Sequence, residues 1–149
     1  MESLLFTIEA RRYAIRLAHV AEVLPAVNVQ PLSGAPSIVE GAVNVRGEIL
    51  PVLSLRARLG HPARAVRATE YFILVNARAR RAILRSDTTP VIVSLPDVSN
   101  QGDEGVDHAL SGVLPMADGL VFFHDMDEFI DADELGALTS ALSALQPSA

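Results

Sequence analysis

GAVNVRGEILPVLSL, residues 41–55, decides how the rest of the chain reads: one arginine sits at a tight turn between two strongly β-forming apolar segments. Val43, Val45, Ile49, Leu50, Val52, Leu53 and Leu55 supply aliphatic and β-branched side chains that suit a pleated, buried surface. Asn44 and the Arg46-Gly47 pair supply turn chemistry, with Gly47 able to take the positive φ that a tight hairpin needs. The stretch predicts a hairpin with Arg46 displayed at its tip. On spacing alone, Arg46 is either an interface group or a solvated turn residue.

Working outward, short strands dominate. Leu4–Ile8 and Arg12–Leu17 form a predicted pair around a turn at Glu9-Ala10-Arg11, and His19–Leu24 continues as another short element. Pro25, Pro31 and the Ser33-Gly34-Ala35-Pro36 cluster mark a loop before the Gly41 strand. Beyond the hairpin, Leu55–Leu59 reads as a helical turn ended by Gly60, followed by an arginine- and alanine-rich connector from His61 to Thr69. Further strands are predicted at Tyr71–Asn76, Arg81–Leu84, Val91–Leu95, Ala109–Leu114 and Leu120–His124, with a polar surface loop at Asp97–Asp107. The tail differs in kind: Leu135, Leu138, Leu142 and Leu145 recur at intervals of three and four, one apolar stripe on a helix of about residues 131–146. Asp131 and Glu134 are spaced as a capping box, and Pro147 closes the helix.

At 149 residues, half of them hydrophobic, the chain predicts a single domain (1–149) with a substantial core. The formal net charge of -6 argues against a nucleic-acid partner, which would need a concentrated basic face. All 12 cationic residues are arginines, so every cation is a planar fork able to pair bidentately with a carboxylate. With no cysteine, disulfides, thiol catalysis and Cys-based metal sites are excluded. No apolar run approaches the ~20 residues that span a bilayer, and no cationic leader precedes an apolar stretch, so the expectation is a cytoplasmic protein without membrane insertion.

Catalytic chemistry finds little support. The four histidines, His19, His61, His108 and His124, lie apart in sequence without a second ligand at zinc-site spacing. His124-Asp125 is the one dipeptide on which a small metal-dependent enzyme could be built, and it lacks the further ligands that such chemistry requires. The acidic cluster Asp125, Asp127, Glu128, Asp131, Asp133 and Glu134 lacks the glycine and spacing of a calcium loop and reads as helix capping. No phosphate loop, nucleophile elbow or Ser-His-Asp grouping is present. A non-catalytic binding protein without cofactor or metal is the expectation.

G-x-x-N-x-R-G-x-I-x-P-V-x-x-L, together with Tyr13, Ala14, Ile15, Val20, Glu22 and Val23 upstream and SGVLPMADGLVFFHDMDEFI downstream, resembles the pattern of CheW-like domains, the adaptor modules of bacterial chemotaxis. A pattern of many short strands plus one amphipathic helix leaves a sandwich, a barrel pair or an α+β roll open. The resemblance implies a mainly β fold of two small five-stranded β-barrels with a groove between them and a C-terminal helix over part of the assembly. It further implies an adaptor between a chemoreceptor helical tip and the regulatory domain of a CheA-type histidine kinase. Val20, Glu22, Gly41 and Arg46 would lie at or near the receptor groove, with Glu22 the partner of Arg46 on a neighbouring strand. Leu55, Leu59 and Gly60 would contribute to the kinase side. The chain departs from the family pattern at RRAILRSDTTPVIVSLPDV, where Arg85, Ser86 and Pro90 interrupt the expected second-barrel strand and predict a shortened or bulged edge. That departure suits an alternative, a divergent module serving type IV pili, gliding or another chemosensory-like pathway.

Overall fold

Strict alternation of side chains builds this molecule from two five-stranded sheets that are apolar on both faces. The computed structural model describes residues 1–77, 80–96, 112–116, 119–126 and 130–144. In chain order its strands are β1 (Glu2–Ile8), β2 (Arg11–Arg16), β3 (Val20–Pro25), β4 (Val39–Val45), β5 (Glu48–Leu53), β6 (Tyr71–Ala77), β7 (Arg80–Ser86), β8 (Val91–Ser94), β9 (Gly112–Met116) and β10 (Gly119–Phe123). Among the described residues they are joined by α1 (Leu55–Arg58) and α2 (Ala132–Ser143), and a 3-10 turn at Leu17–His19 links β2 to β3. The expected surface loop at 97–107, the first part of the strand expected at 109–114, and Leu145 and Pro147 fall outside the described residues.

One sheet has the order β8-β1-β2-β10-β9 and the other β3-β6-β7-β5-β4. Each contains one parallel pair, β2 with β10 and β5 with β7, and is otherwise antiparallel. Along β1, Leu4, Phe6 and Ile8 turn to one side; along β6, Ile73 and Val75 turn to one side and Phe72 and Leu74 to the other. This period of two sorts the core into three clusters among the described residues. The smaller two sit on one face of each sheet, around Ala14, Leu114, Val121 and Phe123 in the first and around Val43, Leu50, Val52, Phe72, Leu74 and Ile83 in the second. The largest lies between the sheets and joins Phe6, Tyr13 and Ile15 of the first to Leu53, Ile73, Val75 and Leu84 of the second. Each such side chain, fully buried, contributes ~1.5–3 kcal/mol, so the inter-sheet layer is the principal apolar reserve of the fold.

Helix α2 adds Leu138 and Leu142 to that shared layer. Its start is fixed as its sequence predicts: Asp131 Oδ1 accepts the Glu134 N–H at 2.7 Å and the Asp131 N–H donates to Glu134 Oε1 at 3.1 Å, a complete capping box.

The expected interruption at Arg85 and Ser86 is not found. β7 runs unbroken through both residues and is a central strand between β6 and β5. Arg85 is tolerated there because carboxylates meet its guanidinium inside the fold. Pro90 precedes β8, a four-residue strand at the edge of the first sheet, where a missing N–H costs no ladder bond.

Candidate interaction site

The β4–β5 hairpin closes with two residues, since Val45 pairs Glu48 across the turn. Both loop residues are left-handed, Arg46 with φ 50° and Gly47 with φ 89°, the backbone of a type I′ turn. Asn44 Oδ1 braces it by accepting the Gly47 N–H at 2.8 Å. Glycine or asparagine would be the comfortable choice at position 46, because a side chain with a bulky Cβ substituent resists positive φ. Arginine stands there against local preference, and its side chain is 64% exposed.

Glu22 holds it in a fork. Arg46 Nη2 donates to Oε2 at 2.5 Å and Nη1 to Oε1 at 3.3 Å, and this hydrogen bonding raises the guanidinium's already high pKa. The expectation that the two residues sit on neighbouring strands is not met. Glu22 is on β3 and Arg46 at the end of β4, the two opposite edges of the second sheet. The ion pair therefore joins one edge of a curled sheet to the other. A bulge between Val20 and Glu22 adds an unpaired residue against β6 and re-aims Glu22. Val20, half-buried, packs on the shared inter-sheet cluster beside it.

Gly41 has a different place. It is buried in β4, its φ is not left-handed, and a Cβ there would lie 2.1 Å from the Gln30 carbonyl oxygen. The missing side chain lets the β3–β4 connection bridge back: the Ala42 N–H donates to Gln30 O at 2.8 Å and the Gln30 N–H to Ala42 O at 3.0 Å. Gly41 thus serves the close approach of that connection to β4, at the end of the hairpin away from the Arg46 turn. Leu55 is also internal, 3% exposed in the inter-sheet cluster, and Leu59 is half-buried against the same cluster. Only Gly60 of that group is at the surface, in the left-handed conformation (φ 80°) just past α1.

The most extensive polar feature lies outside every sequence expectation. Arg85, 7% exposed, donates from Nε to Glu70 Oε1 at 2.9 Å and from Nη1 to both Glu40 oxygens at 2.8 and 3.0 Å, and also reaches the Arg64 carbonyl at 2.9 Å. Glu70, 1% exposed, takes the Arg67 N–H at 2.7 Å on its other oxygen. Arg64 continues to Asp87 at 2.8 Å, and buried Arg56 binds Asp87 through Nη2 and Glu9 through Nη1. Hydrogen bonding to Arg56 holds the Glu9 carboxyl below its ordinary pKa. Burial pushes Asp87 up, but the Glu9 N–H and Arg56 outweigh it, and its carboxyl also sits low. Glu9 belongs to the β1–β2 turn of the first sheet, whereas Arg85, Glu70 and Glu40 belong to or adjoin the second, so the network straps the sheets together at one side. Glu40, Arg64 and Arg85 line an open cleft of about 560 Å³ there. The one available signal in the sequence is an arginine ending the apolar run Ala82–Leu84, a position that makes sense only with buried carboxylate partners.

Among the described residues, no three His, Asp or Glu side chains converge as a metal site would require, and His124 is packed inside with its ring 5.4 Å from that of Tyr13. No helix among them is long and apolar enough to cross a membrane.

Two curled five-stranded sheets sharing an apolar layer, a capped C-terminal helix and a braced, displayed arginine describe a binding scaffold. Residues 2–134 match the model of the CheW-like domain, and the chain belongs to that family. It is 24% identical over 138 residues to the chemotaxis protein CheW of Rhizobium meliloti (strain 1021), a match covering 89% of each chain. The corresponding protein of Klebsiella aerogenes is 22% identical over 139 residues, covering 90% of this chain and 84% of that one. Among solved structures, the scaffolding protein TtCheW from Thermoanaerobacter tengcongensis superposes with a TM-score of 0.76 at 20% identity, over 89% of both chains.

Proposed function

We propose that this chain is a non-catalytic cytoplasmic adaptor that couples the helical tip of a chemoreceptor to the regulatory domain of a CheA-type histidine kinase. The observation that carries the reading is the Arg46–Glu22 fork. An exposed ion pair adds little to folding. A guanidinium placed in a disfavoured backbone conformation and then locked in orientation is better explained as a contact group, since the ordering cost of a long side chain is met before the partner arrives. Arg46, Glu22 and Val20 form the receptor-facing surface, and Gly41 fixes the β3–β4 connection of the same sheet.

The kinase-facing surface requires exposed apolar side chains. Leu55 is buried and Leu59 half-buried, so the exposed apolar side chains offered are Ile92, 62% exposed, and Val91 on β8, with Gly60 at the surface past α1. Each contact is expected to be small, below ~1,200 Å², with multiple simultaneous contacts raising the overall strength. The alternative of a module for pili or gliding draws its support from an interrupted second sheet, and β7 is continuous.

Co-purification with chemoreceptor tips and a CheA-type kinase from the same genome tests the reading. Arg46→Glu is expected to lose the receptor tip and keep the kinase, and Ile92→Asp the reverse. Receptor capture by Arg46→Glu equal to that of the natural protein would show that the arginine is not on that surface.

A further inference from the structure

The β1–β2 hairpin, like the β4–β5 hairpin, closes with two residues, since Ile8 pairs Arg11 across the turn. It is built against preference at both positions: Glu9 has φ 52° and Ala10 φ 64°, where such a turn favours asparagine, aspartate and glycine. A Cβ in the left-handed region crowds the following carbonyl, so the turn carries strain at two successive residues. Ala10 is exposed, and its methyl offers no polar group to hold the conformation.

What holds the turn comes from outside the hairpin. The Glu9 N–H donates to Asp87 Oδ2 at 2.8 Å, and Arg56 and Arg64 both donate to Glu9 Oε1. Arg56 also binds both Asp87 oxygens, at 2.7 and 2.9 Å. Asp87 opens the crossover 87–90 that carries the chain from β7 of the second sheet to β8 of the first. That crossover is tied to the end of β1 beside the turn: the Asp87 N–H donates to Thr7 O at 2.8 Å, and the Thr7 and Thr88 hydroxyls hydrogen-bond at 2.6 Å. Turn, crossover and α1 meet in one polar clasp, with Asp87 common to all its contacts across the sheets.

Strand β8 depends on this clasp unequally along its length. It is an edge strand of four residues, paired with β1. Its far end is anchored by buried Leu95, whose N–H donates to Met1 O at 2.9 Å. Its start, with Val91 and Ile92 exposed, buries too little apolar surface to anchor itself and is positioned by the crossover that precedes it.

We infer that the β1–β2 turn and the Asp87 crossover form a conformational device, a strained clasp that opens as one unit, letting Glu9 and Ala10 relax and loosening the Val91–Ile92 start of β8 while the layer between the sheets stays packed. Strain in the turn lowers the cost of opening, and the hydrogen bonds to Asp87 and Arg56 oppose it. The balance between the two sets how often the edge strand is loose, whatever partner meets that edge.

Native-state amide hydrogen exchange of the full chain, read residue by residue by NMR, tests this with the variants A10G, D87N and D87N/A10G. In the natural protein the Glu9 and Asp87 amides and those pairing Val91 and Ile92 with Leu4 and Leu5 are expected to share one opening constant. That constant should exceed the one for the β6 and β7 amides and depend only weakly on urea, because little surface is exposed. The Leu95 amide, at the anchored end, should stay outside the group. A10G relieves the left-handed backbone without touching Asp87, Arg56 or β8, and should lower the shared opening about fivefold. D87N should raise it about tenfold or more, the scale of a lost charge-assisted bond, and D87N/A10G should fall between the two. An opening at Val91 and Ile92 that A10G leaves unchanged would show that β8 loosens without the turn. Different responses of Glu9 and the β8 start to D87N, or Leu95 exchanging with the group, would likewise overturn the inference.

Discussion

Replacing Glu70 by alanine removes the most deeply buried acid of the strap between the sheets, and its cost can be worked from the contacts. Two charge-assisted hydrogen bonds disappear, from Arg85 Nε at 2.9 Å and from the Arg67 N–H at 2.7 Å. Each such bond contributes ~1.5–3 kcal/mol, which sets an additive range of ~3–6 kcal/mol. Stranding a buried charge costs ~3–5 kcal/mol, but Arg85 keeps both oxygens of Glu40 and is not stranded, so the lower part of the range applies. The expected loss is about 3 kcal/mol, or roughly 10 °C in Tm for a domain of this size. Urea unfolding followed by far-ultraviolet circular dichroism measures it, with an unchanged m-value showing that the native state is otherwise intact. Glu70→Gln, which keeps one acceptor oxygen at the site, should lose less than Glu70→Ala, because a donor facing it is still satisfied. A Glu70→Ala loss under about 1 kcal/mol would mean that the network behaves like surface ion pairs, and the account of it as a buried strap would fail.

Gly41→Ala places a methyl against the Gln30 carbonyl and is expected to destabilise the fold by ~2 kcal/mol or more, with faster hydrogen exchange at the Ala42 and Gln30 amides; a neutral effect would contradict the close approach. Arg46→Asn relieves the left-handed backbone, so the unfolding midpoint should hold or rise slightly while receptor capture is lost, a split that a merely structural arginine would not give. Glu9 and Asp87 have depressed pKa values, so their contribution is fully present above the ordinary carboxylate range and is lost as pH falls through their lower native values. Stability should accordingly be flat from pH 7 to about 5 and fall below about pH 4, and Asp87→Asn should flatten that acid limb.

Local chemistry makes the hairpin at residues 41–55 and the Asp131 capping box legible in the sequence, because turn and cap residues act on neighbours within a few positions. Most strands are legible for the same reason. Arg85 misleads: its carboxylates are 15 and 45 residues away, so nothing adjacent in sequence announces that it is neutralised, and the local pattern reads as a break in β7. Gly41 has the look of a turn glycine near a binding surface, whereas its need is set by Gln30, brought over it by the folded loop. The partnership of Glu22 with Arg46 is legible only through family register; that the two stand on opposite sheet edges depends on sheet curvature, which alternation of side chains does not encode.

The composition of the first sheet, from the first two strands and the last three with the whole second sheet between, dictates an order of assembly. During synthesis the strands of the second sheet are complete once Ser86 has emerged, while the β1–β2 hairpin still waits for β8 and β10, with Leu4 to be matched to Ile92 and Tyr13 to Phe122. In that interval Phe6, Ile8, Tyr13 and Ile15 can be covered only from the second sheet, which makes the early-formed half a template for the late one. Closure of the first sheet is then the slow, long-range step, and pulsed hydrogen exchange during refolding should find the β6 and β7 amides protected before those of β1 and β8.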